Sequence, residues 1–158
     1  MAYHDELLQQ DFELANKPSP TQADLRRSVS TAYYALFHLL ISETVTHWSL
    51  DSSRGALSRM FDHSLMRKVS KRASNPNQQP FPGEDTAVVA QLRKLAESFV
   101  RLQDKRHVAD YDNNTSWREY EAIEEITRAN DAFSTWQSIR HKKIAQDYLV
   151  SLLIRTRD

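Results

Sequence analysis

The chain has 158 residues, of which 40% are hydrophobic and 27% charged, a profile typical of one globular domain over residues 1–158. Its 21 Lys and Arg residues balance its 21 Asp and Glu residues, which excludes a protein that holds nucleic acid by net charge alone. Cysteine is absent, which excludes disulfides, thiolate metal sites and a cysteine nucleophile and fits a cytoplasmic location.

The pattern of apolar residues predicts five helical stretches, of which the first two are separated by prolines. The first runs from about Tyr3 to Ala15 and ends before Pro18 and Pro20. The second follows Ser19 as its cap and runs to about Trp48. Apolar residues recur in it every three or four positions, which predicts the central core helix.

The third and fourth stretches flank a proline-rich segment. The third is predicted from about Arg54 to Ala73. Residues 74–83 contain three of the 5 prolines, and we expect a mobile loop there. The fourth stretch begins near Glu84, where acidic residues suit the helix dipole, and ends at the pair Asn113–Asn114.

The fifth stretch begins at Thr115 or Ser116, and Ser116 with Glu119 matches a capping box. A single helix of about 40 residues would be about 60 Å long, which is too long for a small bundle. We therefore expect a break near Arg140–Lys143 or a projecting helical tail over residues 143–158. The predicted fold is all-α: an up-and-down bundle of four to five helices with a long C-terminal helix or helical extension.

Hydropathy and motifs exclude several other classes. No run of about 18 apolar residues exists, and the N-terminus lacks a signal-peptide pattern, so we expect no membrane association. Two glycines do not suffice for a glycine-rich phosphate loop, and neither His-Glu-x-x-His nor Glu-x-x-His is present. We therefore predict neither a metal nor a cofactor.

The segment RLQDKRHVADYD, residues 101–112, concentrates side chains that can carry chemistry. Asp110 shares a helix face with Arg106 and can also orient His107, the usual proton carrier near neutral pH. Arginine can stabilise the charge that develops on a phosphate. The candidate catalytic residues are Arg101, Arg106, His107, Asp110 and Tyr111. The alternative is structural, since an Arg–Asp pair four residues apart is usually a salt bridge and a tyrosine at a helix end is usually a packed cap.

Two further sets are candidates for binding nucleic acid. Arg27, Tyr34 and His38 form a polar and aromatic stripe on the second stretch, although a lone histidine there is more often a hydrogen-bonded core residue. The second set consists of His63, Arg67 and Lys71. It becomes a phosphate-binding surface only if it lines the same groove as Arg106, and it is otherwise a solvated helix face.

Two segments together resemble the HEPN family of nucleic-acid-associated helical proteins. One is LRRSVSTAYYALFHL, residues 25–39, and the other is RHVADYD, residues 106–112, which is similar to the Arg-x-x-Ala-Asp-Tyr signature of one HEPN subgroup. The resemblance implies a bundle of four or five helices, commonly a homodimer. It also implies an RNA or nucleotide ligand, or a partner such as the nucleotidyltransferases with which toxin–antitoxin members pair.

The resemblance leaves three hypotheses open. Many members are metal-independent ribonucleases with an Arg-x4–6-His motif, which Arg101 and His107 match by spacing, and their site forms across the dimer interface. Members with Arg-x-x-Ala-Asp-Tyr resemble binding relatives instead, and the neutral charge favours such a non-catalytic or weakly catalytic module. The third hypothesis is a structural protein-interaction domain that uses Tyr148, Leu152 and Leu153.

Overall fold

The computed structural model describes residues 1–154, and this part of the chain is all-α with seven helices and no strand. The prediction of an all-α helical bundle is confirmed, although the helices outnumber the four to five predicted. Within the same residues no helix is both long and apolar enough to cross a membrane. The helices are α1 (Tyr3–Ala15), α2 (Gln22–Val45), α3 (Asp51–Ser58), α4 (His63–Ser74), α5 (Thr86–Tyr111), α6 (Glu119–Ile139) and α7 (Lys143–Ser151).

Helix α2 begins two residues later than predicted, because Thr21 and not Ser19 provides its cap. The Thr21 hydroxyl accepts a hydrogen bond from the Asp24 backbone N–H at 3.1 Å. The Asp24 carboxylate in turn accepts one from the Thr21 backbone N–H at 2.9 Å. This reciprocal pair satisfies two backbone donors that a helix start leaves open.

The single third helix predicted over 54–73 is wrong, since this region holds α3 and α4. The Asp62 carboxylate accepts the Leu65 backbone N–H at 2.8 Å and so caps α4. An aspartate in that role favours a helix start over a helix interior. The Ser116–Glu119 capping box is also wrong, because α6 starts at Glu119 and its first turn is closed by Glu121, which accepts the Arg118 N–H at 2.8 Å.

The long C-terminal stretch breaks between Ile139 and Lys143, one of the two predicted courses. Residues 143–154 do not project, because their apolar side chains Ile144, Leu149 and Leu152 are buried. The buried Tyr148 hydroxyl lies 2.6 Å from the Ser70 hydroxyl. Burial raises the pKa of Tyr148 far above its ordinary value. The rest of the predicted tail, residues 155–158, lies outside the described residues.

The chain divides into two compact units. Unit 1 consists of residues 1–39 and 98–134, and unit 2 consists of residues 40–97 and 135–158, described as far as residue 154. Helices α2, α5 and α6 contribute residues to both units, whereas α1 belongs to unit 1 and α3, α4 and α7 belong to unit 2.

The interior of unit 1 is organised around Tyr33, which is completely buried. Its ring lies 5.5 Å from the ring of Phe99, a distance at which aromatic pairs attract one another. The Gln103 side-chain amide donates a hydrogen bond to the Tyr33 hydroxyl at 3.3 Å. The buried phenol therefore has a polar partner, which offsets the loss of water.

Unit 2 is held by two arginines that bridge separate segments. Arg140 binds Glu43 through two guanidinium nitrogens, with Nη2–Oε1 at 2.9 Å and Nε–Oε2 at 3.2 Å. Arg93 donates to the carbonyls of Ala73 at 2.9 Å and Gln79 at 3.0 Å. Gln79 lies in the proline-rich segment predicted to be a mobile loop, so α5 contacts that segment directly.

A buried carboxylic acid with no well-aligned hydrogen-bond partner among residues 1–154 lies inside unit 1. Asp11 on α1 is completely buried, and neither of its carboxylate oxygens accepts a well-aligned hydrogen bond from a described residue. Burial raises the pKa of Asp11 from 3.8 to about 8, and the nearby Phe12 backbone N–H lowers it only in part. The neutral acid is therefore the favoured form in the folded protein at neutral pH.

We expect this burial to make the protein less stable as the pH rises. Between pH 4 and pH 8 the unfolded chain has released the Asp11 proton while the folded chain keeps it. The free energy of unfolding therefore falls by up to about 1.4 kcal/mol per pH unit in this window. Asp11→Asn should flatten the decline, as measured by urea unfolding at several pH values.

The control is Asp131→Asn, which changes an exposed aspartate of the same unit and should keep the wild-type slope. Parallel pH profiles for wild type and Asp11→Asn would show that Asp11 titrates normally in the folded state.

Candidate functional site

An open groove of about 610 Å³ lies in unit 1 and is lined by three helices. Helix α1 contributes Tyr3, Leu7 and Gln10, and the end of α5 contributes Ala109 and Asp110. Helix α2 contributes most of the wall. We call this feature the unit 1 groove; its volume is within the range of pockets that hold small organic ligands.

The predicted stripe on α2 lies along this groove. Arg27, Tyr34 and His38 all line it, since residues seven and eleven positions apart return to nearly the same helix face. Arg27 is exposed and forms no hydrogen bond or ion pair with any residue from 1 to 154. The groove therefore presents, beside aromatic rings, a guanidinium that no residue of the described chain occupies.

Asp110 contributes a fixed carboxylate to the groove. One of its oxygens accepts a hydrogen bond from the Ser30 hydroxyl of α2, and the other lies 3.5 Å from Nη1 of Arg106. Because Ser30 and Asp110 belong to different helices, their bond ties the end of α5 to α2. Both residues line the groove.

Arg106 lies behind this carboxylate. Its guanidinium carbon is 5.3 Å from the centre of the Tyr33 ring and 5.7 Å from that of Tyr34, within the range of cation–π attraction. Only 14% of its side chain is exposed, and its buried Nε has no hydrogen-bond partner among the described residues. Arg106 therefore contacts Asp110 and Tyr34 but is not itself among the residues that line the groove.

Aromatic contacts place α1 against the groove. The ring of Tyr3 meets the ring of His38 edge-on, with their centres 4.9 Å apart. The neighbouring His4 lies 5.9 Å from Phe133 of α6. Helix α1 is thus anchored on α2 and α6, and its Tyr3 and Gln10 complete one wall.

Three of the five candidate catalytic residues lie elsewhere in the same unit: Arg101, His107 and Tyr111, the last of which is exposed and not a packed cap. Arg101 lies 3.7 Å from both Glu124 and Glu125 of α6, so its charge is already compensated. His107 is exposed, does not line the groove, and has its ring 5.0 Å from Tyr111. Positions six apart on a helix are rotated by about 120° from each other. One chain therefore does not bring Arg101 and His107 together.

The basic residues predicted on the third stretch do not join the groove. His63, Arg67 and Lys71 belong to α4 of unit 2, and none of them is among the residues that line the unit 1 groove. Within the described residues no group of three or more histidines, aspartates or glutamates is placed to hold a metal ion.

Several groove residues were not predicted from the sequence. Ser30 lies three positions after Arg27 and four before Tyr34, so the helical spacing of the α2 stripe already contained the signal for it. Tyr3 and Gln10 had no such signal, because the face on which α1 packs is set by tertiary contacts.

Comparison with known proteins assigns neither a family nor a function to the chain. No protein-family model matches the chain, and no curated protein or solved structure matches it. The resemblance to HEPN proteins therefore rests on the residues of α2 and α5 quoted above.

Proposed function

We propose that this chain is a HEPN-like binding module that holds RNA or a nucleotide in the unit 1 groove without cleaving it. The observation that carries the proposal is Arg27, an exposed guanidinium without a partner among residues 1–154, on the groove wall that also holds Tyr34 and His38. Arginine forms two parallel hydrogen bonds to a phosphate, and a base stacks on aromatic rings.

The charge balance sets the strength of such binding. A net charge of +0 gives no long-range attraction for a polyanion, so the affinity depends on a few local contacts. We therefore propose a ligand held by one or two phosphates and by stacking. Such a ligand is a nucleotide or a short single-stranded segment of RNA.

The placement of the candidate catalytic residues favours binding over cleavage. Arg106 is engaged with Asp110, Arg101 with two glutamates, and His107 lies outside the groove. The ribonuclease alternative needs a second copy of the chain to bring two His107 side chains together. A homodimer and a nucleotidyltransferase partner follow from the family resemblance alone and remain part of the proposal.

The protein-interaction alternative loses two of the three residues on which it relied. Tyr148 and Leu152 are buried within the chain, at 3% and 0% exposure, so they are not available between chains. An apolar pocket of about 350 Å³ in unit 2, which includes Leu153 and Trp48, is what remains of that surface.

We expect Arg27→Ala to weaken the binding of a single-stranded RNA about 10- to 150-fold, because a hydrogen-bonded charge contact contributes roughly 1.5–3 kcal/mol. The slope of log affinity against log salt should also become shallower by about 0.7, the value for one phosphate contact on a single strand. Fluorescence anisotropy with a labelled oligonucleotide at several salt concentrations measures both effects.

Arg118→Ala is the matched control, since it removes another exposed arginine of unit 1 that does not line the groove. Equal losses for the two variants would mean that binding follows overall charge and not the groove. That result would contradict the proposal.

For catalysis we expect no difference between wild type and His107→Ala. Neither protein should cleave RNA in the presence of EDTA, because Arg101 is paired with two glutamates and His107 lies outside the groove proposed to hold the ligand. His141→Ala, a change of another exposed histidine, is the control for loss of a ring. Cleavage by the wild type that only His107→Ala abolishes would establish the ribonuclease alternative instead.

A further inference from the structure

The unit 1 groove contains the carboxylate of Asp110, which a surface that binds only phosphate would not be expected to have. Asp110 lines the same groove as Arg27, so the two side chains present opposite charges to a ligand. A carboxylate repels phosphate and accepts hydrogen bonds from N–H groups. The arrangement therefore suits a ligand that is anionic at one end and rich in N–H donors at the other.

The Asp110 carboxylate is fixed from two sides and still has free acceptor capacity. The Ser30 hydroxyl donates to one oxygen, and the Arg106 guanidinium lies 3.5 Å from the other. Each carboxylate oxygen can accept two hydrogen bonds, so each retains a site for a ligand donor. A carboxylate held in one orientation loses little entropy when it binds two donors at once.

Among the four RNA bases, guanine matches this acceptor pair. Its Watson–Crick edge carries two adjacent donors, N1–H and the N2 amino group, which bind both oxygens of one carboxylate. The same edge carries one donor and one acceptor in adenine, one donor and two acceptors in cytosine, and one donor between two carbonyls in uracil. These three bases place an acceptor against a carboxylate oxygen, which is repulsive.

We infer that the unit 1 groove selects guanine, with Asp110 as the residue that determines the base. The inference rests on the proposed function, because Arg27 provides the phosphate contact that holds the nucleotide. Tyr34 and His38 line the groove beside them and supply aromatic faces for the base. A volume of about 610 Å³ is sufficient for one nucleotide.

Isothermal titration of the full chain with GMP, AMP, CMP and UMP tests the inference. The wild type should bind GMP about 5- to 150-fold more tightly than the other three, the range for one bidentate base contact. Asp110→Asn should remove this preference, because an amide presents one donor and one acceptor. Ser30→Ala should reduce it in part, since the carboxylate then loses one of its two supports.

The matched control is Asp147→Asn. Asp147 pairs with Lys143 four residues before it, as Asp110 pairs with Arg106, but it lies in unit 2. This variant should keep the preference for GMP. Thermal melting of each variant shows whether it folds. If Asp110→Asn does not fold, Ser30→Ala tests the inference instead.

The outcomes separate this inference from the proposed function. If all four nucleotides bind with equal affinity and Arg27→Ala weakens all of them, the groove binds phosphate and the selection of guanine is overturned. If Asp110→Asn and Ser30→Ala both retain the preference for GMP, another residue selects the base. If no nucleotide binds, the proposed function and this inference are both wrong.

Discussion

The geometry of the unit 1 groove depends on how Arg26 holds the C-terminal end of α5. The last carbonyls of a helix have no partner within it, and a guanidinium satisfies them well. Arg26 donates to the carbonyls of Ala109 and Asp112 at 3.0 and 2.9 Å, and also to that of Thr115. These bonds fix the last turn of α5 beside α2, and this brings Asp110 next to Ser30.

The same constraint explains why neighbouring residues of identical type have different roles. Consecutive positions on a helix are rotated by about 100°, so a pair of arginines divides between two faces. Arg26 faces the end of α5 and is occupied by backbone carbonyls, whereas Arg27 has no partner among the described residues. The adjacent tyrosines divide in the same way. Tyr33 is completely buried, and Tyr34 lines the groove.

The sequence predicts those parts of the structure that depend on local periodicity. The core face of α2 and the stripe of Arg27, Tyr34 and His38 follow from a spacing of three and four residues, and the structure places all three in the groove. Helix starts were predicted less well. Asp62 and Thr21 cap helices through one or two local side-chain hydrogen bonds, and neighbouring residues are equally plausible caps. The periodicity of apolar residues does not indicate which residue caps a helix.

The rest of the site depends on contacts between residues distant in sequence. Ser30 and Asp110 are 80 positions apart, and no local pattern indicates that they meet. Arg101 shows the converse case, because its spacing to His107 matches a motif while its side chain pairs with α6. A motif fixes distances along the chain, but the partner of each side chain is decided by which helix packs against it.

The proposed selection of guanine would give the groove selectivity at the expense of affinity. A second arginine at the position of Asp110 would strengthen the binding of every nucleotide alike, since phosphate contacts carry no information about the base. A carboxylate weakens the attraction for the phosphate and admits only a base edge that offers donors. The chain has a net charge of +0 and so lacks a general attraction for phosphate. Discrimination between bases, by a few side chains in fixed positions, is therefore what the proposed site would contribute.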